Sequence, residues 1–316
     1  MPIRFLLYGL VVLLAAGCSA DRSETPAPVR PASAPAGPTA DAFGDYWYQG
    51  EAELTSYTLE QARYGEVHPG EAVLIFVTEP FSRSRHVKLD RPGQAGDDEV
   101  TVLKLNMTRS FTTGIYPYSM MASVFTPVDR RTYPHTLKVT TTAQEWCGHT
   151  FTQINRTRRG YRARLFSYFE REGDRDVSLP DVWLEDALWT TIRLNPDDLP
   201  TGEVRMLPGT FYQRFRHIDL APQIATASLE PAEEPGQRIY TVTYPDIGRT
   251  LSIRFRAAFP HEIEGWTETY RSGFGPDAPV LTTRADRKAR LRLDYWTHNS
   301  VADSTWRARL GLASSP

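Results

Sequence analysis

Apolar and polar side chains alternate one by one through segment after segment of this chain. That period of two belongs to β-strands with one face turned to a core. Leu251-Ser252-Ile253-Arg254-Phe255 is the cleanest case. The same alternation runs through 100–107, 137–140, 161–169, 204–207, 239–244, 281–283 and 289–295. Ala72 to Val77 is an unbroken apolar run after Pro69-Gly70, as in a buried strand. In the segment 51–64, Ala52, Leu54, Ala62 and Tyr64 share one parity, while Glu51, Glu53, Gln61 and Arg63 share the other. A long strand with one dry and one wet face is expected there. Turn clusters punctuate the strands, among them Arg91-Pro92-Gly93, Pro200-Thr201-Gly202 and Glu234-Pro235-Gly236.

Helical periodicity is scarce. Leu184, Leu188 and Ile192 recur every four residues, with Asp181 placed as an N-cap and Pro196 as a stop. A helix is expected over 182–193, and a second, short one over 301–310. The fold class is therefore mainly β: a large antiparallel curved sheet, or a partly open barrel or sandwich, with one or two short helices. With no midway linker, residues 42–316 read as a single β-rich domain. At 41% hydrophobic and 23% charged, the chain has too many apolar residues for a disordered protein. A net charge of −2 gives no basic surplus for nucleic acid.

The N-terminus has a different character. Arg4, an apolar run from Phe5 to Leu14, then Ala15-Ala16-Gly17-Cys18 form a secretory signal, too short to span a bilayer. Small residues directly before a cysteine resemble the lipobox of bacterial lipoproteins. The resemblance implies a signal peptide over 1–17 and an acylated Cys18 as the anchor in a lipid bilayer. Ser19 after the cysteine implies sorting to the outer membrane. Residues 18–41 are rich in proline, alanine and serine and lack aromatics, so they are expected to form a tether. Extended, they reach about 70 Å at ~3.1 Å per residue. The chain has two cysteines, so with Cys18 acylated, Cys147 has no intrachain partner and there is no disulfide framework.

Two groups carry candidate chemistry. On a strand, Glu145, Cys147 and His149 would point to one face. A thiolate–imidazole pair, two metal ligands and a purely structural role are the readings open to them. Glu60 and Glu66 flank Arg63 and Tyr64. They suit acid–base work on a glycan, or a cross-strand salt bridge to Arg63. The remaining histidines (His68, His86, His135, His217, His261 and His298) form no zinc spacing and read as surface or capping residues. No P-loop, GxSxG or dinucleotide fingerprint is present, and no cofactor is implied. Aromatics abound, including Tyr46, Trp47, Tyr48, Tyr116, Tyr118, Trp146, Trp183, Trp189, Trp266, Tyr270, Tyr295 and Trp296. They suit a sheet core first and the lining of a lipid or glycan site second.

Tyr46-Trp47-Tyr48-Gln49-Gly50, Thr113-Gly114-Ile115-Tyr116-Pro117, Gln144-Glu145-Trp146-Cys147-Gly148-His149 and Glu264-Gly265-Trp266 resemble a family of uncharacterised bacterial secreted lipoproteins. That family is often labelled "septum formation inhibitor Maf". The resemblance runs from about residue 43 to 310 and implies an envelope location. The label implies, as one alternative, a Maf-type nucleotide pyrophosphatase. Such enzymes are α/β proteins with a Ser-rich, Arg-containing phosphate loop, and this sequence has neither that loop nor a βα alternation. The function expected is a membrane-tethered envelope module that binds an apolar or glycan ligand without catalysis. Its rival is a hydrolase built on Cys147 and His149 or on Glu60 and Glu66.

Overall fold

A computed structural model describes residues 39–313. The stretch expected to be a signal peptide, Cys18 and nearly all of the stretch expected to be a tether lie outside the described residues. The chain enters on α1 (Ala40–Trp47), N-capped by the Thr39 hydroxyl. Four strands make the first half of the meander: β1 (Ala52–Arg63), β2 (Glu66–Ser82), β4 (Glu99–Thr113) and β5 (Tyr116–Pro127), with the two-residue β3 (Val87–Lys88) hung on β2. β6 (Lys138–Glu145), β7 (Gly148–Thr157), β8 (Gly160–Ser167) and β9 (Arg175–Leu179) continue it to one edge.

From there the chain crosses to the other edge. The short β10 (Trp183–Leu184) leads into α2 (Leu188–Leu194), β11 (Gly202–Leu207) and α3 (Thr210–Arg216). β12 (Gln223–Pro231), β13 (Gln237–Tyr244), β14 (Arg249–Arg256), β15 (Ile263–Arg271) and β16 (Val280–Leu293) then lead back to β1. α4 (Thr305–Arg309) ends the described chain, after a 3-10 turn over Val301–Ser304. The mainly β class holds: one 16-stranded sheet, antiparallel except for β10 beside β11, and not closed into a barrel.

The path of this sheet starts on β10 and ends on β9, which are consecutive in the chain. Only Pro180, Asp181 and Val182 separate them. The two edges therefore meet at a seam bridged by backbone but by no strand hydrogen bonds. Opposite partners along β1, β2, β4 and β5 define two ends. Near Arg63 lie the tight hairpins 64–65, 114–115 and 146–147, together with the loops 168–174 and 272–279. The first of these turns has Tyr64 at φ 54° and Gly65 at φ 83°, the two left-handed residues that match a hairpin to strand twist. At the far end lie α1 and the loop 128–137.

The hollow of the sheet is filled by the two short helices. Every residue of α2 is buried, as is α3 up to Phe215. Thr190 of α2 shares a hydrogen bond with Thr126 of β5 at 2.7 Å, and Arg63 of β1 donates to the Phe215 carbonyl at 2.6 Å. The Tyr240 hydroxyl of β13 reaches the Pro200 carbonyl beyond α2 at 2.7 Å. Strands from both halves thus grip the same central segment.

Three expectations are corrected here. β1 does not divide its faces as expected: Glu53, Gln61 and Arg63 are buried inside the sheet, Ala52 and Leu54 are covered outside by Leu310 and Trp306, and of its residues only Thr58 and Glu60 are exposed. The central helix starts at Leu188, after a 3-10 turn over Glu185–Ala187, and is capped at Ala187 without a side chain. Asp181 instead sits exposed at the seam, paired with Arg156 at 2.6 Å. Two helices, α1 and α3, were not foreseen, and α1 begins within the stretch read as tether.

Candidate functional site

Charges on the inward faces of the strands meet counter-charges carried in by the helices. Arg193 of α2 clamps Glu53 of β1 through two bonds, at 2.5 and 2.7 Å, and lies 4.7 Å from the centre of the Phe76 ring. Burial pushes the Glu53 carboxyl up, but the Arg193 guanidinium wins and holds it below the usual range. Halfway along the interior, Arg249 holds Glu185 at 2.5 and 2.6 Å and Glu268 at 3.0 Å, and Arg109 stands 3.5 Å from Glu268. Two cations balance two carboxylates there. Asp186 is the fifth group of the cluster and has no cation within salt-bridge distance, only the amide and hydroxyl of Thr210. Full burial, followed by the nearby Glu185 charge, pushes its pKa up to about 7. Gly209 is required beside this cluster, because a Cβ there would stand 2.4 Å from Glu185 Oε1.

These clusters fill the interior. The cavities among them amount to about 20 Å³ each, water-sized at most. No ligand-sized space opens beside these charge clusters among the described residues. Trp47, Tyr118, Trp189, Trp266 and Tyr270 are core residues.

Both sequence-predicted groups fall at the Arg63 end, but not in the expected arrangement. Glu145 ends β6 and Gly148 begins β7, so Trp146 and Cys147 form the tip of a hairpin rather than the middle of a strand. Cys147 and His149 are exposed. Glu145 is buried, accepts the Cys147 amide at 2.8 Å and lies 3.5 Å from Arg214. Its hydrogen bond and negative charge push the Cys147 thiol up, opposite to what a thiolate nucleophile requires. Glu60 and Glu66 are exposed, and the salt bridge expected to Arg63 does not form. Arg63 donates to the Phe215 carbonyl and to the Tyr64 and Tyr118 hydroxyls, at 2.9 and 3.3 Å for the hydroxyls. Tyr64 is its neighbour in the chain, but Tyr118 and Phe215 arrive from a distant strand and a helix, which sequence spacing could not foretell. His68 and His261 are buried rather than at the surface. Among the described residues, no group of three or more His, Cys, Asp or Glu side chains is placed to hold a metal ion.

A cavity of ligand size opens instead at the seam. It measures about 720 Å³ and lies between the β5–β6 loop, the Pro180–Val182 bridge and the start of β11. Trp183 and Tyr161 give it aromatic walls, Arg130, Arg131 and Arg205 give guanidinium groups, and Asp181, Asp198 and Glu203 give carboxylates. Arg130 is the distinctive member. Its side chain makes no hydrogen bond or ion pair among the described residues, its Nε is buried without a partner, and its guanidinium lies 5.9 Å from the centre of the Trp183 ring. Burial lowers its pKa, with Asp198 acting against that. Sequence reading passed over Arg130, Arg131 and Arg205. The loop 128–137 that carries the first two was the available signal, since binding residues fall disproportionately on loops held by a rigid scaffold. The chain matches no family model, no curated protein and no solved structure.

Proposed function

We infer that this protein is a membrane-tethered envelope lipoprotein whose β-domain is a non-catalytic binding module for a glycan, held in the cleft at the seam. One observation carries the reading: the roughly 720 Å³ opening combines aromatic walls with unpaired guanidinium donors. Sugars present apolar C–H faces and a ring of hydroxyls. An indole face and planar charged side chains complement those two features. Of the apolar and glycan ligands considered from the sequence, the apolar one loses support. The cavities at the buried charge clusters are too small for an acyl chain, and the larger seam cleft carries guanidinium and carboxylate groups that suit hydroxyls better than methylenes.

The lipoprotein part rests on residues 1–18 and is tested by metabolic labelling with a clickable fatty acid, which should label the wild type and not Cys18→Ala. The binding part is tested by titrating soluble envelope oligosaccharides into the purified protein in a calorimeter. Trp183→Ala and Arg130→Ala should each weaken binding by about tenfold or more, from the ~1–3 kcal/mol tied to a charged hydrogen bond or an aromatic contact. Unchanged affinity in both variants would remove the cleft from consideration. Lipid copurifying with the protein in native mass spectrometry would restore the apolar ligand.

A further inference from the structure

Most of the large apolar side chains left exposed lie at the Arg63 end, away from the seam cleft's loop. Ile115, Phe274, Trp146 and Tyr168 are 81%, 71%, 69% and 68% exposed, and each sits on a different hairpin or loop. They are not scattered singly. Trp146 lies 6.4 Å from Tyr116, Tyr116 lies 5.8 Å from Tyr118, and the Tyr118 and Tyr64 hydroxyls are bonded at 2.7 Å. Tyr64 then meets Phe274 at 5.9 Å, Phe274 meets His217 at 6.4 Å, and His217 meets Phe169 at 5.0 Å. Phe169 meets Tyr168 at 5.4 Å. Tyr168 returns to the first hairpin, covering Gly148 so closely that a Cβ there would come within 2.7 Å of its ring. The contacts link Trp146, Tyr168 and Phe274 in a rim around the mouth of the sheet through half-buried Tyr116, Phe169 and His217 and, beneath them, buried Tyr118, while Ile115 stands beside Tyr116 on the next hairpin.

We propose that this rim seats in the interfacial layer of a lipid bilayer. Tryptophan and tyrosine prefer that layer, where the ring meets acyl carbons and the polar atom meets water. Contiguous exposed apolar surface of this kind marks a contact site rather than ordinary exposure. The length of chain before the domain allows the contact, on the tethered reading above. The chain enters the domain through α1, which lies with Ala52 at the end opposite the rim. β1 spans about 40 Å from there to Arg63, at ~3.3 Å per residue. Ser19 to Thr39 reach about 65 Å when extended at ~3.1 Å per residue. An anchor at Cys18 can therefore share a bilayer with the rim. Exposed charges at this end include Glu66, Glu170, Asp174, Asp246 and Asp277 against Arg171, Arg175 and Arg271. The contact is accordingly apolar, insensitive to salt on zwitterionic lipid and weaker on anionic lipid.

The test does not depend on natural acylation. The chain from Ser19 onward, carrying an N-terminal histidine tag, is held on zwitterionic vesicles by a nickel-chelating lipid. Cys147, then its sole cysteine, takes an environment-sensitive fluorophore at the rim. Expected are a blue shift and quenching by lipids brominated near the headgroup, with quenching at least halved in the Trp146→Ser/Phe274→Ser variant. A label as aqueous on vesicles as in solution overturns the proposal, and would point to a protein partner for the rim. Quenching equal in wild type and folded variant also overturns it. If the variant misfolds, wild-type quenching alone decides. Failure of fatty-acid labelling at Cys18 would defeat the lipoprotein reading while leaving this result intact.

Discussion

Asp186 offers the sharpest test of how the interior is held together. Its cluster holds Arg249 and Arg109 against Glu185 and Glu268, so an ionised Asp186 adds an unbalanced buried charge. Its pKa of about 7 stands some three units above the ~3.9 of an unfolded aspartate. At ~1.4 kcal/mol per unit, that difference is worth about 4 kcal/mol. The raised folded value fixes the sign. Below about pH 4 both states hold the proton and the native state keeps its full stability. From pH 4 to 7 the unfolded chain releases the proton more readily, so stability falls as pH rises, and above about pH 7 the whole amount is lost. Asp186→Asn keeps an acceptor for Thr210 and has no proton to lose. Urea unfolding at pH 5 and pH 8 should show the wild type losing ~2–3 kcal/mol more than the variant over that range. The comparison with the variant cancels the histidines and the salt-bridged carboxylates. Equal pH slopes in the two proteins would refute the charge count.

Other consequences follow from the same packing. Arg193→Met leaves Glu53 buried without its clamp and should cost ~3–5 kcal/mol, read as a drop in the urea midpoint; adding Glu53→Gln to it should recover part of that loss. Cys147 should alkylate without unfolding because it is exposed, yet slowly at pH 7.5 because Glu145 raises its thiol. Glu145→Gln should speed the reaction severalfold, and an unchanged rate would show that Glu145 does not control the thiol.

The strands were legible in the sequence because a strand's own residues carry its signal. Alternation in Leu251 to Phe255 and the apolar run from Ala72 to Val77 report burial through local spacing alone, and those segments are β14 and part of β2. The short C-terminal helix was legible for the same reason. What failed was the choice of wet face on β1. Glu53, Gln61 and Arg63 looked solvated because charge usually is. They are buried because α2, α3 and β16 bring Arg193, the Phe215 carbonyl and Thr283 to meet them from more than a hundred residues away. Cys147 and His149 looked paired because they lie two apart, until a hairpin turned at Trp146. The seam cleft gave no local signal at all. It exists because the sheet's first and last strands are neighbours in the chain and still do not bond, leaving Arg130, Trp183 and Arg205 around an opening that only the path of the whole sheet could define. Periodicity is a property of neighbouring residues and can be read from their order. A partner for a buried charge, and a gap between sheet edges, depend on where distant segments stop, and that is decided only when the chain is packed.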